Sequence, residues 1–360
     1  MHMLRSIPPR VSHRNASARQ TGLAQVRNAI PRLSARPATP IRTFAAAAPG
    51  THGKPDALPS FSAIRAAMKP LTRRSSNPEH AVMQDRIRSS LDDRHTFAHY
   101  VPALNHMLGH IGLDEPRASS MCSLILTNLV DDHPLGLIEK RLHETLRQTI
   151  VDPIENCSFI DAIGPKLAGR GQIIFKQLEP HLRDMRGKDI LDFGAGSGVV
   201  TAEVRRKVSQ RTVGIDVRPY GDGIIQYDGR RAPFADHSFD CIIVTNVFHH
   251  EKNNQQCLDE VHRLLRPGGK LIVIETVPTG ATEEEAQLDL GRTFLIDFTY
   301  NRLFNYADIP VPGTFETADG WKRRFMESGF DKPEVVEHLG FDQEIVPDWH
   351  VLYVVRKSVG

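Results

Sequence analysis

Three glycines at alternate positions, Gly194, Gly196 and Gly198, follow the short apolar run Ile190, Leu191, Phe193, and a helix pattern opens at Val199. A strand that turns through glycines into a helix lets the backbone approach a ligand closely and presents the unpaired N–H groups of the helix N-terminus to it. The spacing is G-x-G-x-G rather than the G-x-G-x-x-G of a dinucleotide turn, with Val199 standing where the third dinucleotide glycine would be. Asp192 lies two residues before the first glycine. Asp216 closes a second apolar segment, RTVGID, 22 residues after Gly194. In a strand–turn–helix–strand unit this acid reaches the tip of the neighbouring strand, beside the turn, where a carboxylate can accept two hydrogen bonds from a ribose diol.

Further downstream, GIIQYD (223–228) reads as a short third strand ending in Asp228. FDCIIVTN (239–246) reads as a fourth strand, running into Val247, Phe248, His249 and His250. Strand C-termini face the ligand crevice in doubly wound sheets, so Asn246 and the two histidines sit where reacting groups are held. His249 or His250 could serve as a general base; packing and capping are the alternative use of such a pair.

The D-x-G-x-G-x-G of residues 192–198, the Y-D-G-x-x-x-P-F-x-D-x-S-F-D of residues 227–240 and the Arg266-Pro267-Gly268-Gly269 before the strand KLIVIET (270–276) together resemble the class I S-adenosylmethionine-dependent methyltransferases, in particular the methyltransferase type 11 group. The resemblance implies a Rossmann-like α/β fold: a doubly wound, mostly parallel seven-stranded sheet with one antiparallel strand near its C-terminus. It implies S-adenosyl-L-methionine as cofactor, held by Asp192, Gly194, Ala195, Gly196, Gly198, Asp216 (ribose), Val217, Asp228 (adenine amino group), Gly229 and Asn246. The six residues Val217–Asp222 leave no room for the helix many relatives carry before the third strand. Asn246 is followed by Val247, not by the Pro-Pro-Tyr of amino-methylating nucleic-acid enzymes, which disfavours that substrate class. The reaction implied is in-line attack of an acceptor atom on the sulfonium methyl. A small-molecule acceptor is the first expectation; a protein methyltransferase and a noncatalytic, methyltransferase-like assembly factor stay open beside it.

These groups need elements to hold them. Helices are expected over 161–181, from Val199, over 255–265, from Thr282 with an acidic first turn, and over 319–328; closing strands are expected at 333–338 and 351–355. Gly269 is expected to take a backbone angle closed to other residues. Leu290, Phe294 and Phe298 recur every four residues, as core or as substrate cover. Before the α/β domain (161–358), residues 80–160 read as a helical region: Phe97, Tyr100, Val101, Leu104, Leu108 and Ile111 share one face. This region could cap a substrate pocket, or bind a second copy or a protein partner. Residues 49–79 read as a proline-interrupted linker with a short helix near Phe61–Met68.

Residues 1–48 contain eight arginines, no lysine and no acid. This is the composition of a mitochondrial presequence, so a mitochondrial matrix address is expected. The whole chain of 360 residues carries +2; without those arginines the remaining 37 bases face 43 acids, a balance of −6. A net-negative body argues against a nucleic-acid binder. No run of about 18 apolar residues predicts a membrane span. Four scattered cysteines form no C-x-x-C, and His106 and His110, four apart, have no carboxylate beside them, so no metal site is expected.

Overall fold

The computed structural model describes residues 60–67, 78–110, 112–128, 169–218, 221–304, 311–341 and 346–359. The expected presequence (1–48), most of the linker (49–59 and 68–77), residues 129–160 of the helical region and 161–168 at the start of the expected α/β domain lie outside the described residues, as does Ile111.

A seven-stranded sheet organises the C-terminal part: β1 (Ile190–Phe193), β2 (Thr212–Asp216), β3 (Ile224–Gln226), β4 (Phe239–Thr245), β5 (Leu265–Val277), β6 (Val335–Phe341) and β7 (Trp349–Arg356). Their spatial order is β3-β2-β1-β4-β5-β7-β6. The first five run parallel, and β7 runs antiparallel to both neighbours, so the sheet is mixed, as the resemblance implied.

Strand side chains alternate between faces, and β4 shows how the two faces are filled. Cys241 and Ile243 join Ile190, Ile272, Ile274, Phe175 and Val204 on one side, while Ile242 and Val244 join Leu191, Phe193, Val261, Trp321 and Phe325 on the other. Two helices, α5 (Arg170–Leu178) and α6 (Val199–Lys207), cover the first face; α7 (Asn254–Leu264) and α9 (Ala318–Glu327) cover the second. The expected 161–181 helix is shorter in what is described: Arg170–Leu178, then a 3-10 segment over Glu179–Met185 that Pro180 opens.

β5 starts five residues before the expected Lys270. Phe239 pairs with Leu265, the register shifts, and Cys241 pairs with Lys270, so Arg266-Pro267-Gly268-Gly269 is an irregular stretch within the strand rather than a loop before it. The glycine with the left-handed backbone is Gly268 (φ +71°), not Gly269 as expected. Gly269 is instead short of space: an added Cβ would lie 2.8 Å from the Arg266 carbonyl oxygen.

The short helix expected in the linker is α1 (Phe61–Ala67), and the helical region gives α2 (Pro78–Asp92), α3 (Arg94–His110) and α4 (Glu115–Asn128). The Asp114 carboxylate accepts the Arg117 amide and caps α4. The expected face of α3 is buried at Phe97, Tyr100, Val101, Leu104 and Leu108. Its partner is α8 (Glu283–Phe298), which lies between β5 and α9 in sequence. Phe294, Leu295, Ile296 and Phe298 share a separate core with Ile87, Leu91 and the α3 face. The Leu290, Phe294, Phe298 stripe is therefore core of a helical cap. Arg86 fastens this cap further: its guanidinium lies over the Phe294 ring and donates to the carbonyls of Pro312 and Gly313. Among the described residues no helix is long and apolar enough to cross a membrane.

Candidate active site

Between β1 and β4 the strand order reverses, and a cleft of about 610 Å³ opens at the C-terminal ends of the strands there, the position where doubly wound sheets bind ligands. The glycine turn after β1 lines one end. Gly194 has φ +80°, and an added Cβ would fall 2.3 Å from a Val247 methyl, so both backbone angle and space demand glycine. Gly196 (φ +50°) has open space where a Cβ would stand. Its amide donates to Asp216 Oδ2 at 2.8 Å, while the Arg218 amide donates to Oδ1 at 2.7 Å. The Asp216 carboxylate is thus locked at the tip of β2 with one acceptor site left on each oxygen, enough for a vicinal diol.

The cleft brings together Gly194, Ala195, Gly196, Asp216, Val217, Asn246, His249 and His250. Four other residues expected at the cofactor do not line it. Asp192 is fully buried and accepts a 2.5 Å hydrogen bond from Thr201 Oγ1, tying β1 to the first turn of α6 beneath the glycine turn. Burial pushes its carboxyl up to about 6. Gly198 (φ +74°) is the residue before α6, packed near Ile224. Asp228 is exposed, and the amides of Arg230 and Arg231 that it accepts hold its carboxyl below the usual range. Gly229 follows in the same turn; Tyr227, just before it, lines the cleft instead.

At the other end, the chain leaves β4 through Asn246, which carries φ +53°, an angle Asn tolerates better than most residues. It then forms a short 3-10 turn, Phe248–His250. Glu275 of β5 fixes this turn: its Oε1 accepts the amides of Val247 and Phe248, both at 2.8 Å, and its Oε2 lies 2.5 Å from His249 Nδ1. Burial pushes His249 down to about 4 and Glu275 up to about 7, both toward their uncharged forms. The His249 ring stacks on Phe315 with centroids 4.9 Å apart and planes at 17°. Nδ1 bonds the Glu275 carboxylate, so Nε2 is left facing Asp297 of α8, whose Oδ1 is 3.9 Å away. His250 lies alongside, its ring centroid 4.1 Å from that of His249.

The roof over this end is α8 and the π-helical turn Thr299–Phe304 that continues it. Asp297, Tyr300 and Asn301 reach the cleft from there and are themselves buried. Asn301 Nδ2 donates to Asp297 Oδ1 at 2.7 Å. Thr276 Oγ1 bridges Asn246 Oδ1 and His350 Nε2, at 3.5 and 3.3 Å. Glu275 and Asp297 escaped the sequence reading. Their signal was a lone acid inside an otherwise apolar segment (KLIVIET, TFLIDF), a pattern that costs stability unless the acid is partnered and used. Asn301 carried no such signal, because a polar residue past a helix end is ordinary; Tyr300 belongs to the aromatic segment open to reading as core or as substrate cover. Where no metal site was expected, the described residues hold one group of three ligand-type side chains, His249, His250 and Asp297.

A cleft with an open glycine turn, a locked carboxylate for a diol and a volume within the usual range for small-molecule sites fits a nucleoside cofactor. Residues 191–273 match the family model described as a methyltransferase domain. The ubiquinone/menaquinone biosynthesis C-methyltransferase UbiE of Hahella chejuensis is 27% identical over 159 residues, 39% of this chain and 58% of that protein. The tRNA U34 carboxymethyltransferase of Cellvibrio japonicus is 27% identical over 174 residues, 44% of this chain and 50% of that protein. Among solved structures, the trans-methyltransferase CalH in complex with SAH aligns with a TM-score of 0.39 and 18% identity, over 78% of this chain and 88% of that one. The chain spans about half the length of the curated relatives it matches.

Proposed function

We propose, from the match of residues 191–273 to a methyltransferase domain, that the chain is a class I, S-adenosylmethionine-dependent methyltransferase and that it methylates a small-molecule acceptor enclosed beneath α8. The observation that carries this is the division of the cleft. One end offers the glycine turn and the locked Asp216; the other is walled by His249, Asp297, Tyr300 and Asn301 under a roof built on the cap core. The side chains of His249, Asp297 and Asn301 are each at most about 6% exposed, which favours a small acceptor over a folded protein surface.

When bound, S-adenosylmethionine supplies a methyl group whose bond to a positively charged sulfur breaks with its electron pair returning to sulfur. The chain's own residues are left with alignment and water exclusion, worth as much as about 7–11 kcal/mol in favourable systems. Gly194, Gly196 and Asp216 fix the nucleoside end, and the roof residues fix the acceptor. An acceptor that carries a proton also needs it removed at the His249 end, where the histidine is uncharged near neutral pH.

The names of the curated relatives include carbon methylation in quinone biosynthesis and transfer to a tRNA base, so acceptor class is the point to test. Purified protein is incubated with methyl-labelled cofactor and metabolite extract. A labelled product below about 1 kDa supports the reading. Label found only on protein or RNA, or cofactor that does not bind at all, would sink it. We further propose the mitochondrial matrix as its place of action, supported by the composition of residues 1–48 alone. A fusion of residues 1–60 to a fluorescent protein that stays in the cytosol would end that proposal.

A further inference from the structure

We infer that His249, His250 and Asp297 form a binding site for one divalent transition-metal cation at the acceptor end of the cleft. This inference rests on the proposed function only for the cation's use, not for its binding.

Three ligand atoms, one from each residue, lie within 4.8 Å of one another, and His249 Nε2 is 3.9 Å from Asp297 Oδ1. Around a cation with bonds of about 2.0–2.2 Å, neighbouring ligand atoms stand roughly 3–3.5 Å apart. Small side-chain rotations therefore close the group. The two rings come from consecutive residues of one short turn, and the acid comes from the roof, so a cation would tie the strand layer to the cap.

The surroundings are those of a ligand set rather than of a packed histidine. Glu275 holds His249 Nδ1 at 2.5 Å and so directs the other nitrogen inward; a carboxylate behind a ligating histidine fixes both tautomer and ring direction. Phe315 stacks on the same ring and holds its plane. Asn301 holds Asp297 Oδ1 at 2.7 Å. The independent observation is Asp297 Oδ2. This residue is 4% exposed, and Oδ2 has no hydrogen-bond partner among the described residues. An orphaned carboxylate oxygen in the interior is costly unless a further group takes it up, and a cation would.

Two imidazoles and one carboxylate suit manganese, iron, cobalt, nickel or zinc better than magnesium or calcium, which favour all-oxygen sets. Three protein ligands leave coordination positions open toward the cleft. An acceptor hydroxyl or thiol placed there would lose its proton to water more readily. Its lone pair would then form the new bond to the methyl carbon as the carbon–sulfur electrons return to sulfur. The histidines expected from the sequence to act as a base are on this reading ligands.

The test uses the full chain, stripped with chelator and dialysed. Cobalt(II) is titrated and followed by visible absorption, with manganese(II) followed by magnetic resonance and competed with zinc. Binding of S-adenosylhomocysteine is measured in parallel by calorimetry. One ion per chain is expected, with Asp297→Asn and His250→Gln each weakening it at least tenfold while S-adenosylhomocysteine affinity stays within twofold. His106→Ala/His110→Ala, which removes the neighbouring histidine pair of α3 (centroids 4.3 Å apart, planes at 53°), should leave the stoichiometry unchanged. No ion bound, or binding lost in the α3 variant and kept in Asp297→Asn, overturns the inference. If S-adenosylhomocysteine still binds in either case, the methyltransferase reading stands without the metal; if it does not bind to the wild-type protein, that reading falls separately.

Discussion

The hydroxyls of Tyr100 and Thr299 lie 2.6 Å apart in a buried contact that spans 199 positions of sequence. Thr299 Oγ1 already donates to the Leu295 carbonyl at 2.7 Å, so the tyrosine is the donor. This bond fastens α3 to the point where α8 becomes the π-helical turn bearing Tyr300 and Asn301. The N-terminal helices thereby set the height of the roof over the cleft.

A first prediction concerns that fastening. Gly291 of α8 has no room for a side chain: its Cβ would meet Thr96 Oγ1 of α3 at 2.4 Å. Gly291→Val should cost about 1–3 kcal/mol by overpacking, and Tyr100→Phe about 1 kcal/mol. Both should lower the thermal midpoint and leave S-adenosylhomocysteine affinity within twofold. Calorimetry that finds cofactor binding lost in Gly291→Val would mean that the cap also builds the cofactor end.

The second prediction tests the carboxylate at the tip of β2. Asp216→Asn keeps the shape but removes the charge and one full acceptor, while two backbone amides still need partners. Cofactor affinity should fall by about 1.5–3 kcal/mol, the range for hydrogen bonds to a charged group, which is roughly 10- to 150-fold. Titration calorimetry reads it directly. An unchanged affinity would remove Asp216 from the cofactor site.

A third prediction sets Gly194 against Gly196. Gly194→Ala must fit a Cβ 2.3 Å from a Val247 methyl at φ +80°, so the turn has to move. Gly196→Ala keeps only the strain of φ +50°, about 1–2 kcal/mol, since it meets no atom within 4 Å and carries its methyl in open space beside the Asp216 bond. The first should lower both stability and cofactor affinity; the second should lower affinity much more than stability. Equal losses of stability in the two would contradict the assignment of Gly196 to the ligand side.

Asp192 yields a pH prediction. Its carboxyl is raised to about 6 by burial, above the unfolded value of about 3.9. The folded state therefore binds this proton more tightly than the unfolded chain. The stability so gained is full below about pH 4 and is lost as pH rises through about 6, by at most about 3 kcal/mol. Asp192→Asn does not titrate. Urea unfolding at pH 4.5 and pH 7.5 should show wild type losing ground to the variant over that interval. A difference independent of pH would show that the carboxylate is not held in this buried state.

The sequence by itself determined the sheet, because its signals are local. Alternating apolar strands, a glycine turn whose backbone only glycine adopts, and an acid at the end of the next strand each follow from neighbours within a few residues. Gly194, Gly196 and Asp216 could therefore be placed before any coordinates. The resemblance also named Asp192 and Asp228 as cofactor residues, yet in the structure Asp192 meets Thr201 and Asp228 its own turn. Which way a strand-end acid points depends on register and on what packs behind it, and neither is local. The other end of the cleft was legible only at Asn246, His249 and His250. Glu275 and Asp297, which complete it, come from β5 and from a helix that begins six residues after that strand ends, and they meet His249 only because the α3 face buries α8 over the sheet. Ionisable groups that gain their role from being removed together from water leave single, ambiguous marks in the sequence; folding alone gives those marks a common position.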